Sequence, residues 1–323
     1  LLCSCSGCFL SFLVRWIRNQ VDNLALCKVI FFGVKMYYII FDLEWNNAYN
    51  YKTKKGFNEI IEIGAVKLDR NFNIVGTFKQ LIKPQVSKKL SSRFKNLTHI
   101  TSEEIKEKGI PFENAVSDFA RWSENDKSVF MSWSNSDLYV LVDNFQYFFG
   151  KTTVDFMKKY ADVQKFCQRN IKTENSNQIG LSNCAELLNI SVDSENLHRA
   201  LEDCYLAAKC FEKVYDEKEF KNYISVCDFD FFERLIFKPY YITKVKTDNF
   251  NADEVEFNCP ICGSKLNRLT EYECKCRAFK AVGECKPCKK KWWIFFRAKQ
   301  TYDTIHIYKR VTEMSRNKAR KIK

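Results

Sequence analysis

Tyr37-Tyr38-Ile39-Ile40-Phe41-Asp42-Leu43-Glu44 is the stretch on which the reading of this chain turns. The unbroken apolar and aromatic run from Tyr37 to Phe41 suits a central strand covered on both faces. Side chains two apart on a strand point the same way, so Asp42 and Glu44 project together from its end. A hard cation can be clamped there without the protein moving. Val129-Phe130-Met131-Ser132-Trp133 reads as a second short strand, and Leu138, Leu141, Val142 and Phe145 begin a helical spacing just after it. Asp137 therefore falls at a strand-to-helix junction, although Ser134-x-x-Asp137 also matches a helix capping box. Leu201, Cys204, Ala208 and Phe211 form an i, i+3, i+7, i+10 stripe. That stripe predicts a helix from near Ala200 that carries Asp203 in its first turns, with His198 in the loop before it.

Asp42, Glu44, Asp137 and Asp203, with His198, suffice to hold two Mg²⁺ or Mn²⁺ ions and activate a water against a phosphodiester. The carboxylates hold the ions, and an imidazole, which titrates near neutrality, removes the proton from the attacking water. The constellation points to a nuclease.

Residues 36–215 resemble the DEDDh family of 3′-5′ exonucleases, which have a ribonuclease H-like fold. Motif I is Phe41-Asp42-Leu43-Glu44-Trp45, motif II is Ser132-Trp133-Ser134-Asn135-Ser136-Asp137, and motif III is His198-Arg199-Ala200-Leu201-Glu202-Asp203. The Ser-Trp-x-x-x-Asp form of motif II is similar to the KapD-type and Eri-type exoribonucleases. Glu59 to Val66 resembles the family's second strand, Lys79 to Pro84 its third, and Leu97-Thr98-His99-Ile100-Thr101 the turn that follows. The resemblance implies an α/β fold with a mixed central sheet flanked by helices. It makes Asp42, Glu44 and Asp203 metal ligands, Asp137 a ligand partly through water, and His198 the general base. Leu43, Trp45, Trp133 and Asn135 are expected at the substrate; Leu43 and Trp45 differ from the Phe and small residues common in related motifs, and neither change removes a ligand. The implied substrate is the 3′ end of single-stranded nucleic acid, RNA in preference to DNA, with release of 5′-mononucleotides. A non-catalytic nucleic-acid-binding adaptor and a DNA-directed proofreading or repair exonuclease are the alternatives.

At 323 residues and 46% apolar, the chain has room for one medium domain and a smaller one with a packed core. Its charge is uneven: residues 259–323 carry 18 Lys and Arg against 5 Asp and Glu, while residues 1–258 are balanced at 34 against 34. A basic tail on a neutral body suggests phosphate-directed affinity. Cys259-Pro-Ile-Cys262 and Cys285-Lys-Pro-Cys288 are two C-x-x-C knuckles 22 residues apart, which predicts a zinc ribbon over 259–323 with one Zn²⁺ on four thiolates. Cys274 and Cys276 leave open a swap of one ligand. The ribbon is expected to display Lys289, Lys290, Lys291, Trp292 and Trp293 as one basic, aromatic surface. Residues 216–258, rich in Phe and Tyr, read as a linker packed on the nuclease core. Within 1–35, which hold Cys3, Cys5, Cys8 and Cys27, the apolar stretches are broken by Arg15, Arg18 and Asp22. None therefore reaches the ~20 residues of a membrane span. Met36 reads as the start and residues 1–35 as an over-extended or non-native segment, which makes the protein cytoplasmic, with no membrane partner.

Overall fold

The central strand β1 (Tyr38–Asn50) buries Tyr38, Ile39, Ile40 and Phe41 to 1% exposure or less, as the apolar run requires. The computed structural model describes residues 36–51, 53–87, 89–124, 127–171, 178–191 and 199–314. Residues 1–35, with Cys3, Cys5, Cys8 and Cys27, and His198 lie outside the described residues. The described residues divide into two compact units, one ending at Phe232 and one beginning at Glu233.

In the first unit β1 pairs with β2 (Lys55–Leu68), which pairs with β3 (Ile74–Leu81), both antiparallel. On its other edge β1 pairs in parallel with β4 (Val129–Ser132), and β4 with β5 (Lys159–Asp162). The short β6 (Ser225–Val226) closes the order β3-β2-β1-β4-β5-β6 antiparallel to β5. This is the mixed sheet flanked by helices expected of the ribonuclease H-like reading.

Three helices follow β3: α1 (Ser92–Thr98), α2 (Ser102–Lys108) and α3 (Phe112–Ser123). Phe119 of α3 meets Phe41, Phe78 and Phe130 from three strands, which fixes α3 on one face of the sheet. Helix α4 (Ser136–Phe149) leaves β4, and α5 (Val163–Asn170) and α6 (Leu181–Leu187) leave β5. Helix α7 (Ala200–Val214) lies on β1 and β2 and buries Cys204, Ala207, Cys210 and Phe211 with Tyr38, Ile40 and Val66. Helix α7 starts at Ala200, where the stripe of apolar residues puts it.

Gly64 of β2 sits directly under the start of α7. A Cβ there would stand 2.3 Å from the Leu201 nitrogen and 2.4 Å from the Ala200 carbonyl carbon. The missing side chain is what allows the helix to approach the strand this closely. The β1–β2 register then slips between Glu44 and Trp45: Glu44 faces Glu62 and Trp45 faces Ile60, so Ile61 is the extra residue of a bulge.

The second unit is built on an antiparallel meander of β12 (Ala278–Cys285), β13 (Lys290–Gln300) and β14 (Ile305–Glu313). Strands β10 (Asn267–Arg268) and β11 (Glu273–Lys275) add to β12, and β7 (Tyr240–Ile242) extends the sheet along β13. Strands β8 (Lys246–Thr247) and β9 (Phe250–Asn251) pair with each other. Phe279 and Phe296 stack at 4.7 Å between centroids and 15° in the centre of its core, with Trp292, Ile294 and Ala298 around them. Trp292 is 5% exposed and Trp293 half-buried on the opposite face. The expectation that the two tryptophans and their lysines form one surface is thereby corrected, because a strand sends neighbouring side chains to opposite sides. No helix among the described residues is long and apolar enough to cross a membrane.

Candidate active site

Asp42 and Glu44 leave β1 on the face that α7 covers, and Asp203 comes down from the first turn of α7. One carboxylate oxygen from each lies within 4.8 Å of the others. Asp137 reaches the same place from the first turn of α4, and its Oδ1 accepts the Leu43 backbone N–H at 3.2 Å. That bond sets Asp137 against β1 and not in a helix cap. The helix cap is Asn135, with no side-chain capping bond, and Asp137 is buried against β1 instead.

Burial, reinforced by crowding, governs the electrostatics of this cluster. Burial first, then the charges of Asp137, Glu44, Asp203 and Glu62, hold the Asp42 carboxyl well above the usual carboxylate range. Burial, with Asp203, Glu62 and Asp137, pushes Glu44 up to about 9, against a smaller opposing pull from Arg199. Asp137 is pushed up to about 7 by burial, with the Leu43 N–H pulling the other way. Hard oxygen donors this close, with Asp42, Glu44 and Asp137 disfavoured as anions by burial and by their acidic neighbours, are what a divalent cation relieves.

Glu62 was not anticipated as part of this region. Fully buried on β2 opposite Glu44, it takes a two-pronged ion pair from Arg199, Nη2 to Oε1 at 2.7 Å and Nε to Oε2 at 3.2 Å. Its Oε2 also accepts the Ala200 N–H at 3.2 Å, so the helix that carries Asp203 is capped from a distant strand, no local side chain doing so. Arg199 reaches Glu104 of α2 as well, at 3.3 Å. An acidic residue inside the run Ile60-Ile61-Glu62-Ile63 was the available signal, since a charge in a buried strand needs a partner.

A cavity of about 540 Å³ opens over the carboxylates. Leu43, Trp45 and Trp133 line it, as their positions in the motifs suggest; Asn135 does not, although Ser134 and Ser136 on either side of it do. Arg93, Phe94 and Leu97 of α1, with Asn47, Asn58 and Ser91, line it outside the motifs. Arg93 is exposed and Leu97 is 44% exposed, a cation and an apolar side chain one helical turn apart. Their helix is tied to β1 by buried Asn46, whose Oδ1 accepts the Ser91 N–H at 2.9 Å.

With this geometry in view, the comparison with known proteins is direct. The exonuclease family RNase_T matches residues 39–211, more than half of the chain. The chain belongs to the RNase_T exonuclease family. It is an exonuclease, a hydrolase acting on phosphodiester bonds. The probable 3′-5′ exonuclease KapD of Bacillus subtilis (strain 168) is 28% identical over 175 residues, covering 53% of this chain and 80% of that protein. Among solved structures, the nuclease domain of 3′hExo, a DEDDh family member bound to rAMP, is 23% identical, with 56% of this chain and 92% of that chain covered and a TM-score of 0.48. Cell-death related nuclease 4 is 20% identical over 55% of this chain, with a TM-score of 0.47, and this exonuclease spans 62% of its length.

In the second unit, one sulfur from each of Cys259, Cys262, Cys285 and Cys288 lies within 4.8 Å of the others. Both knuckles turn in the same way. Gly263 follows the first pair at φ +73° and Lys289 the second at φ 49°, left-handed turns that bring each pair of thiols to one side. The Ser264 hydroxyl and N–H hold the Cys262 thiol down to about 6, while its cysteine neighbours and burial push Cys288 up to about 12, so the four thiols share their protons unevenly. Cys274 and Cys276 lie on and just after β11, outside this group. The four thiols are thus compatible with a zinc ribbon.

Proposed function

We propose that the exonuclease degrades single-stranded nucleic acid from its 3′ end, RNA in preference to DNA, and releases 5′-mononucleotides. The observation that carries this is the convergence of Asp42, Glu44 and Asp203 within 4.8 Å inside the segment that matches the family. In this reading Asp42, Glu44 and Asp203 hold two Mg²⁺ or Mn²⁺ ions, with Asp137 bound partly through water. Cations held there supply Lewis acidity and make a bound water easier to deprotonate. His198 takes the proton from the attacking water. The Arg199–Glu62 pair fixes the start of the helix that carries Asp203. Arg93 meets backbone phosphate at the mouth of the cavity, and Trp45 and Leu97 contact the terminal base. The preference for RNA rests on the Ser132-Trp133-x-x-x-Asp137 form of the second motif. One Zn²⁺ on Cys259, Cys262, Cys285 and Cys288 holds the second unit together, and thiolates kept reduced for that ion fit a cytoplasmic location.

RNA and DNA oligomers labelled at the 5′ end, single- and double-stranded, incubated with Mg²⁺ or Mn²⁺, test the proposal. Stepwise shortening from the 3′ end, faster on single-stranded RNA, with mononucleotides bearing a 5′ phosphate, is the expected result. Internal cuts, or equal rates after the divalent cations are removed, would overturn it.

A further inference from the structure

The outer face of the β12–β13–β14 sheet is not used by the catalytic reading. Strand alternation points Trp292, Ile294 and Phe296 into the core and Trp293, Phe295 and Arg297 to the other side. The register sets Arg310 of β14 and Lys280 of β12 on either side of Phe295, and Tyr308 beside Arg297. The Lys280 ammonium lies 3.8 Å from the centre of the Trp293 ring, and the Arg310 guanidinium 6.0 Å from that of Phe295. Arg297 and Arg310 are exposed, and Tyr308 is 56% exposed. Glu273 and Glu284 share this face along β11 and β12; Glu273 is paired with Lys275 at 2.6 Å, and Glu284 lies opposite Lys291. Along β13 and β14, from Trp293 to Lys299 and from His306 to Thr312, the same face carries no carboxylate.

We propose that this face is a second binding surface for single-stranded nucleic acid. Aromatic rings bordered by cations offer stacking platforms for unpaired bases and positive groups for the phosphates between them. A duplex keeps its bases stacked on each other, so the rings select the single strand. The partner is polyanionic, because residues 259–323 carry 18 basic side chains against 5 acidic ones. The inference deepens the proposed function and rests on its single-stranded substrate.

The test uses the full chain. Fluorescence anisotropy of a labelled 20-nucleotide oligo-U, an oligo-dT and a blunt duplex is measured over a salt series with Asp42→Asn present to stop cleavage. Arg297→Gln with Arg310→Gln is expected to weaken single-strand binding about tenfold and to lower the salt slope by about 1.4, two phosphate contacts' worth. Trp293→Leu with Phe295→Leu keeps apolar volume for folding and is expected to weaken binding about tenfold or more with the salt slope unchanged. With Asp42 restored, both pairs are expected to hydrolyse a trinucleotide at the parent rate and a 20-mer more slowly. Unchanged single-strand affinity and salt slope in both pairs would overturn the proposal. So would equal losses on the duplex, or a loss only of binding to phosphatidylserine vesicles. If the parent chain itself shortens no oligomer with Mg²⁺, the proposed function fails; if it does so and the variants match it on 20-mers, only this inference fails.

Discussion

The acidic cluster draws Asp42 and Glu44 from β1, Asp137 from α4 and Asp203 from α7, over more than 160 residues of chain. The thiol cluster draws its four sulfurs from two knuckles separated by a single excursion of 22 residues. Both gather donors around one point, but the dependence runs in opposite directions. The exonuclease unit has a large core of its own, from Tyr38 and Phe41 to Phe211, which forces the carboxylates together against their repulsion. The second unit has a smaller core around Phe279 and Phe296, beside the thiols. In the first unit the fold gathers the donors, and in the second the proposed Zn²⁺ completes the fold.

Removing the thiol cluster's metal tests that contrast most severely. Cys285→Ser, or a strong chelator, is expected to cost the second unit about 10 kcal/mol and abolish its cooperative unfolding. Trp292 fluorescence and zinc content follow the loss, while Mg²⁺-dependent cleavage of short oligomers continues. A second unit that melts unchanged without metal would break the comparison.

Asp42→Asn does the reverse. Hydrolysis is expected to fall below detection, while the metal-free melting temperature stays level or rises, since one member of a crowded set of carboxylates is gone. Near-normal turnover in Mg²⁺ would remove Asp42 from the ligand set. His198→Ala is expected to lose about 10²- to 10⁴-fold in turnover with metal affinity largely kept, and to remove the acid limb of the pH profile. Calorimetric metal titration separates that role from ligation. Glu62→Gln weakens a support for the metal ligands, and its expected loss is smaller, about 10- to 100-fold in turnover or metal affinity.

The smallest effect is on stability against pH. Asp137 and Glu44 titrate near 7 and 9 in the folded chain instead of near 4, so between those limits the folded state holds protons the unfolded state has released. Stability of the metal-free exonuclease unit should therefore fall as pH rises from about 4 to about 9. Saturating Mg²⁺ should flatten the trend; calorimetry at three pH values, with and without Mg²⁺, reads both slopes.

Local sequence carried most of what proved legible. The run before Asp42, the stripe after Ala200 and the paired knuckles each obey a short-range rule, and β1, α7 and the thiol cluster follow from them. The unread parts depend on partners far along the chain. Nothing near Glu62 shows that Arg199 will meet it, and nothing near Arg93 shows that Asn46 will carry α1 to the cavity. Trp292 and Trp293 differ in kind: a local rule, strand alternation, sends them to opposite faces of β13.

Gly64 also sets the gauge of the site. An alanine there would bring its methyl within 2.4 Å of the α7 backbone, so the helix would have to rise by about 1 Å to reach ordinary contact, lifting Asp203 away from Asp42 and Glu44. Mg²⁺ demands oxygen ligands at about 2.0–2.1 Å, whereas Ca²⁺ accepts about 2.3–2.6 Å. One absent carbon atom thus sets how closely Asp203 can approach Asp42 and Glu44. Gly64→Ala would then shift affinity from the smaller ion toward the larger, a selectivity change readable by competition between the two.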